Sequence, residues 1–210
     1  MTRIVAGSAK GRTLAVPKSG TRPTSERVRE ALFSRLDHMN VLEGATVLDL
    51  FAGTGALGLE ALSRGAARAT LVEKASAAAR VASANVRATG LPARVVTADV
   101  RAYLGARSGE ALTGENDLVF IDPPYDIPEG DMTTVLSALA PWGGPDSLIV
   151  VERSTRAPAP TWPPFLVLED TRAWGETVAY FAGPPLPKDE ESSEAAECAA
   201  ASPVREETAP

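Results

Sequence analysis

Val47-Leu48-Asp49-Leu50-Phe51-Ala52-Gly53-Thr54-Gly55-Ala56-Leu57-Gly58 is the stretch on which the fold turns. Its first four residues are an apolar run broken by one acid, the pattern of a buried strand. The next eight carry three glycines spaced Gly53-x-Gly55-x-x-Gly58, and Leu59 to Arg64 reads as a short helix. Glycines between a strand and a helix permit a tight turn and let a ligand approach the backbone closely. Helix–strand packing alone also asks for small residues, so this spacing is a weak signal until its surroundings are read.

Downstream, strand and helix patterns alternate. Ala69 to Glu73 reads as a strand, and Ala75 to Thr89 as an Ala-rich helix stopped by Gly90. Arg94 to Thr97 is a third strand, followed by a weaker helix from Val100 to about Arg107 and a loop from Ser108 to Asn116. Leu118 to Ile121 is a fourth strand, Met132 to Leu139 a helix and Leu148 to Val151 a fifth strand. After a Pro-rich connection, Leu166 to Leu168 and Thr177 to Phe181 form a last pair around Trp174-Gly175. Parallel neighbours need long crossovers, so the alternation predicts an α/β fold with a mostly parallel seven-stranded sheet and helices on both faces. The closing pair is where an antiparallel strand is expected.

Acids recur at the strand ends. Asp49, Glu73 and Asp99 lie at or just past the ends of the first three strands. In an open parallel sheet those positions share the ligand crevice. Glu73 suits the two hydroxyls of an adenosine ribose, Asp49 the amino end of a methionine moiety, and Asp99-Val100 an adenine. The Gly turn and Glu73 alone suit a nicotinamide cofactor as well as S-adenosylmethionine. Asp122-Pro123-Pro124-Tyr125, at the end of the fourth strand, separates the two. Proline ends the ladder and fixes φ, so a carboxylate, a rigid carbonyl and an aromatic face are held at one strand tip. That set can grip an exocyclic amino group and stack its base, and a dehydrogenase has no use for it.

The formal net charge of -6 is unevenly spread. Residues 188–210 carry two basic and seven acidic side chains, whereas residues 1–40 carry eight basic and three acidic. A polyanion can be drawn to the N-terminal region despite the low overall pI. Arg3 to Val16 reads as a β-hairpin with a Gly-containing turn, and its modest apolar content predicts a surface position. Thr24 or Ser25 can cap a following helix whose apolar stripe is Val28, Leu32, Leu36 and Met39, with Arg27 and Arg29 off the stripe. His38, the sole histidine, falls near that helix's end. Past Pro187 the composition predicts disorder. The only cysteine, Cys198, lies in that tail, so no disulfide is expected. Nor is the cysteine-dependent route to pyrimidine C5 methylation expected. No metal cluster, membrane span or signal peptide is apparent, so a cytoplasmic location is expected.

Asp49 through Gly65, together with Asp122-Pro-Pro-Tyr125, resembles the RsmD family, the 16S rRNA (guanine-N2) methyltransferases. Arg3-Ile-Val-Ala-Gly7, Lys10-Gly-Arg12, Thr21-Arg-Pro-Thr24, Arg27 to Phe33 and Trp174-Gly-Glu-Thr177 resemble it too. Ser34 stands where the family pattern has Asn. The resemblance implies a Rossmann-like, class I S-adenosylmethionine-dependent methyltransferase fold with a small N-terminal β-hairpin extension. The expected divisions are 1–20 for the hairpin, 21–187 for the methyltransferase domain and 188–210 for the tail. Expected cofactor-binding residues are Asp49, Ala52, Gly53, Gly55, Glu73, Lys74, Asp99 and Val100. Expected catalytic residues are Asp122, Pro123, Pro124 and Tyr125. Arg3, Lys10, Arg12, Arg22, Arg27 and Arg29 are the RNA-contact candidates. The implied partner is 16S rRNA in the small ribosomal subunit or an assembly intermediate, met by a monomer without a metal. The tetrapeptide grips an amino group without naming its base, so adenine-N6 methylation of DNA or another RNA is the alternative. A nicotinamide oxidoreductase and a noncatalytic RNA-binding factor are the rivals from other classes.

Overall fold

The computed structural model describes residues 2–16, 26–109 and 112–185. The chain opens with β1 (Thr2–Arg3) and β2 (Thr13–Leu14), which pair antiparallel, followed by α1 (Glu26–His38). Then come β3 (Thr46–Leu50), α2 (Ala56–Ser63), β4 (Arg68–Glu73), α3 (Ser76–Thr89), β5 (Ala93–Thr97) and α4 (Val100–Leu104). The second half holds β6 (Asn116–Ile121), α5 (Glu129–Ser137), β7 (Gly143–Ser154), β8 (Val167–Trp174) and β9 (Thr177–Gly183). β3 to β9 make a seven-stranded sheet in the order β5-β4-β3-β6-β7-β9-β8. β3 to β7 run parallel, and β9 pairs antiparallel with both β7 and β8. Among the described residues no helix is long and apolar enough to cross a membrane.

This order positions the site. From β3 the chain builds outward through β4 and β5, then returns to lay β6 on the other side of β3. Strand order reverses there, and the helices leave on opposite sides, so a crevice opens at the carboxyl ends of β3 and β6. Alternation along the strands assigns the two faces. Val47, Leu118, Phe120, Leu148 and Val150 pack with Leu32, Phe33 and Leu36 of α1 and with Leu57, Leu59 and Leu62 of α2. Leu48, Leu50, Val119, Ile121, Ile149 and Val151 pack with Val100 and Leu104 of α4 and with Met132, Val135 and Leu136 of α5.

The N-terminal hairpin departs from expectation. It does not lie loosely on the surface: Ile4, Ala9 and Leu14 are buried in the same cluster as α1 and α2. Its turn is pressed against the end of α2. Ser8 N–H donates to the Ser63 carbonyl at 2.7 Å and Ala9 N–H to Ser63 Oγ at 2.9 Å. A Cβ on Gly7 would stand 1.7 Å from the Ser63 carbonyl oxygen, so only glycine fits. β7 is also longer than its apolar run, because Gly143-Gly144-Pro145-Asp146 reads locally as a turn yet pairs across a register shift opposite Asn116. β8 runs through Glu169-Asp170-Thr171-Arg172, whose charges hide a strand but protect an exposed sheet edge. α4 ends at Leu104, with Gly105 as its C-cap. Residues 17–25 and 186–210, with the expected capping residues Thr24 and Ser25, Arg22 and the acidic tail, lie outside the described residues.

Candidate active site

Asp49 is the deepest acid of the crevice, 1% exposed on the α2 face of β3. Its Oδ2 accepts the Gly58 N–H at 2.9 Å, while its buried Oδ1 has no hydrogen-bond partner. Gly58 eases that approach: a Cβ there would stand 3.1 Å from Asp49 Oδ2 and 2.3 Å from Leu71 Cδ2. Burial pushes the Asp49 carboxyl up to about 7, the Gly58 N–H opposes this, and the charges of Asp122 and Glu73 add to it. An orphaned oxygen of this kind favours a cationic ligand group, which would pair with it and restore the ionised form.

The turn above Asp49 is shaped by left-handed backbone at Phe51 (φ 60), Gly53 (φ 54) and Gly55 (φ 79), the last being the N-cap of α2. Phe51 is the only non-glycine of the three, an uncommon conformation of the sort that collects at functional sites. Ala52 N–H donates to the Val72 carbonyl at 3.0 Å, tying the turn to β4. Half-buried Glu73 does the same from its side chain: its two oxygens accept Gly53 N–H at 2.9 Å and Ala75 N–H at 2.6 Å. Asp99 caps α4 through Arg101 N–H at 3.0 Å and Ala102 N–H at 3.4 Å, and Lys74 Nζ donates to its other oxygen at 2.9 Å. The Lys74 hydrogen bond, helped by those amides, holds the Asp99 carboxyl below its usual range. Val100 is buried in the α4 face of the core. The tips of β3, β4 and β5 thus bring together every expected cofactor-binding residue. The orphaned oxygen, the glycine backbone and the carboxylates fit S-adenosylmethionine.

Across the reversal point, Asp122 follows β6 directly, and its N–H meets the Leu50 carbonyl at 3.5 Å. Alternation from Leu118 and Phe120 puts its side chain on the Asp49 face. Pro123 is buried, Pro124 exposed, and the Pro124 carbonyl accepts the Ile127 N–H at 3.1 Å, closing the turn. Tyr125 is 67% exposed and is the one aromatic among the exposed large apolar residues of the described part of the chain. These four residues wall an open recess whose other wall is Glu152, Arg153, Ser154 and Thr177. Sequence reasoning passed over that second wall. The signal was there: Glu152 follows the apolar run Leu148–Val151 just as Asp122 follows Leu118–Ile121.

The basic N-terminal candidates do not act alike. Arg3, Lys10, Arg12 and Arg27 are exposed. Arg3 pairs with Glu26 at 3.3 Å, and Arg12 Nη1 donates to the Ala88 carbonyl at the end of α3 at 2.6 Å. Arg29 is a correction: it is 1% exposed and cannot meet RNA. Its Nη2 donates to the Arg3 carbonyl at 2.5 Å, and its Nε lies 3.7 Å from Glu60. Burial lowers the guanidinium's pKa while Glu60, Glu26 and Glu152 hold it up. The apolar stripe of α1 misses it because the hairpin covers a second side of the helix.

Residues 2–183 match the family described as Conserved hypothetical protein 95. Ribosomal RNA small subunit methyltransferase D of Escherichia coli K12 is 40% identical over 180 residues, covering 85% of this chain and 87% of that one. The solved yhhF structure of Escherichia coli superposes with a TM-score of 0.73 at 36% identity, covering 86% of this chain and 96% of the other. The solved structure of a hypothetical protein from Thermus thermophilus gives a TM-score of 0.73 at 34% identity, covering 87% of this chain and 99% of the other. Family match, identity and topology agree, and the chain belongs to the RsmD family of methyltransferases.

Proposed function

We propose that this protein transfers a methyl group from S-adenosylmethionine to the exocyclic N2 of a guanine in the 16S rRNA of the small ribosomal subunit. The observation that carries this reading is the placement of Asp122 and exposed Tyr125 across the β3–β6 reversal point from the orphaned oxygen of Asp49. The relatives' names supply the RNA.

In this reading Asp49 Oδ1 receives the ammonium of the methionine portion, and Ala52, Gly53 and Gly55 present backbone to it. Glu73 takes the ribose hydroxyls, and Lys74, Asp99 and Val100 border the adenine. The bound cofactor supplies a sulfonium-activated methyl group and leaves as S-adenosylhomocysteine. An aromatic amine is a poor nucleophile because its lone pair is delocalised into the ring. Asp122 and the Pro123 carbonyl accept hydrogen bonds from the N2 hydrogens, localise that lone pair and aim it. They also stabilise the positive charge that develops on nitrogen as the N–C bond forms and the S–C bond breaks, and the surplus N2 proton then passes to Asp122 or to water. Pro124 fixes the turn, and Tyr125 stacks on a base exposed from the RNA fold. Arg3, Lys10, Arg12 and Arg27, with Arg22, meet phosphate and give salt-dependent affinity. The substrate is the small subunit or an assembly intermediate, and the enzyme acts as a cytoplasmic monomer.

The test offers methyl-labelled S-adenosylmethionine with unmodified small subunits, deproteinised rRNA and duplex DNA, followed by nucleoside identification. N2-methylguanosine from the subunits is the expected product, and methyladenine would move the assignment to adenine N6. Asp122→Ala should abolish transfer, by about a hundredfold or more, while cofactor affinity stays within about threefold.

A further inference from the structure

The acceptor recess holds a second carboxylate that the reaction described above does not use. β6 and β7 are parallel neighbours whose last partners are Ile121 and Val151. Past that pair β6 ends at the prolines, but β7 continues against β9, with Glu152 opposite Ala179. Leu118, Phe120, Leu148 and Val150 face α1 and α2, while Ile121 and Val151 face the other side. The period of two therefore puts Asp122 and Glu152 on one face, on strands about 4.8 Å apart. Both line the recess, and Glu152 is only 4% exposed. Arg29 stands behind it, close enough for the Glu152 charge to act on the buried guanidinium. That cation offsets the repulsion between the two acids. A carboxylate has about four acceptor sites, so partners on the protein side leave room for a ligand.

Two acids side by side suit one base edge. Guanine presents N1–H beside the N2 amino group, a continuous row of donors. Adenine presents a lone pair at N1 beside its amino group, which would face a negative oxygen across a desolvated contact. Building on the amino-transfer reading above, we infer that Glu152 determines guanine specificity: its carboxylate accepts the N1–H of the base whose N2 amino group Asp122 holds. Rejection comes from the unpaired, repelled N1 of the wrong base as much as from attraction to the right one.

The experiment uses the full-length protein and small subunits reconstituted with 16S rRNA carrying, at the target position, either guanosine or 2-aminopurine riboside. The analogue keeps the C2 amino group but has a lone pair at N1. Wild type should favour guanosine by about a hundredfold in kcat/KM, since a site built around a hydrogen bond rejects the analogue lacking it. Glu152→Gln offers N1 an amide donor, so that preference should shrink at least tenfold, with the analogue's own rate rising. A ratio is insensitive to the fraction of enzyme folded. Equal losses on both substrates would make Glu152 merely structural and overturn the inference. Should Glu152→Gln not fold, Glu152→Asp takes its place, with the shortened carboxylate expected to lower the guanosine preference, and similar wild-type rates on the two substrates would overturn the inference as well. Failure of the underlying reading looks different: wild type would label neither subunit, and the inference would fall with it.

Discussion

Glu73 and Glu60 make the same hydrogen bonds in two regions of the molecule and serve different ends. Glu73, at the tip of β4, takes the N–H groups of Gly53 and Ala75. Glu60, on α2, takes those of Val5 and Ala6 at 2.7 and 3.0 Å. Glu73 is half-buried at the crevice. Glu60 is 0% exposed and is flanked by Arg64 at 2.8 Å and Arg29 at 3.7 Å. Access to solvent leaves Glu73 able to bind a ligand. Full burial with two guanidiniums turns Glu60 into a staple that holds the N-terminal hairpin onto the catalytic body. The chemistry of a carboxylate does not distinguish a site from a staple; burial and counter-charge do.

The comparison breaks most visibly at Glu60. Glu60→Ala strands a buried guanidinium and two amides, so unfolding stability should fall by about 3–5 kcal/mol in denaturant titration. Amide exchange at Val5 and Ala6 should rise as well. A loss below about 1 kcal/mol would mean the hairpin is held by its apolar contacts and the Ser63 hydrogen bonds, without help from Glu60.

Asp49 sharpens the contrast through pH. The folded protein keeps its proton up to about pH 7, whereas the unfolded chain releases it near 3.8. The native state then binds more protons over that interval, so this group's contribution makes stability fall as pH rises from about 4 to 7 and level off above. Asp49→Asn should flatten that component, seen by comparing urea unfolding of the two proteins at acidic and mildly alkaline pH. A cationic ligand at Oδ1 selects the ionised form, so cofactor affinity should rise with pH up to about 7 in the wild type and lose that rise in the variant.

Glu73→Ala should do the reverse of Glu60→Ala. Cofactor affinity should drop by about tenfold to a hundredfold in calorimetry, while stability changes by less than about 1 kcal/mol, since an accessible carboxylate gives its amides up to water. A stability loss matching that of Glu60→Ala would erase the distinction. The smallest effect is expected from the basic side chains of the N-terminal region. Neutralising Arg12 and Arg22 together should lower the slope of log affinity for RNA against log salt by about 1.4 and raise KM, with kcat kept. An unchanged slope would remove the N-terminal region from the RNA interface.

Legibility followed distance along the chain. The strand at 46–50, its Gly turn and the acids Asp49, Glu73 and Asp99 were readable because a few consecutive residues carry both the period and the chemistry. Asp122-Pro-Pro-Tyr125 was readable for the same reason: proline imposes its geometry wherever it stands. Glu152 was within reach, had the rule applied to the first four strand ends been extended to the fifth. The ends of β7 and β8 were not, since Gly-Gly-Pro-Asp and a run of charges pair only where a neighbour supplies the ladder.

By itself the sequence determined the alternating elements, the glycine turn, the Asp-Pro-Pro-Tyr turn and the family those motifs resemble. All rest on local periodicity and backbone constraint, which need no partner. Only the tertiary structure decided that Arg29 is buried, that Glu60 binds a segment 55 residues away, and that Glu152 shares a recess with Asp122. Burial and charge pairing belong to surfaces brought together from distant parts of the chain. An arginine off an apolar stripe reads as solvated until the element that covers it is in place.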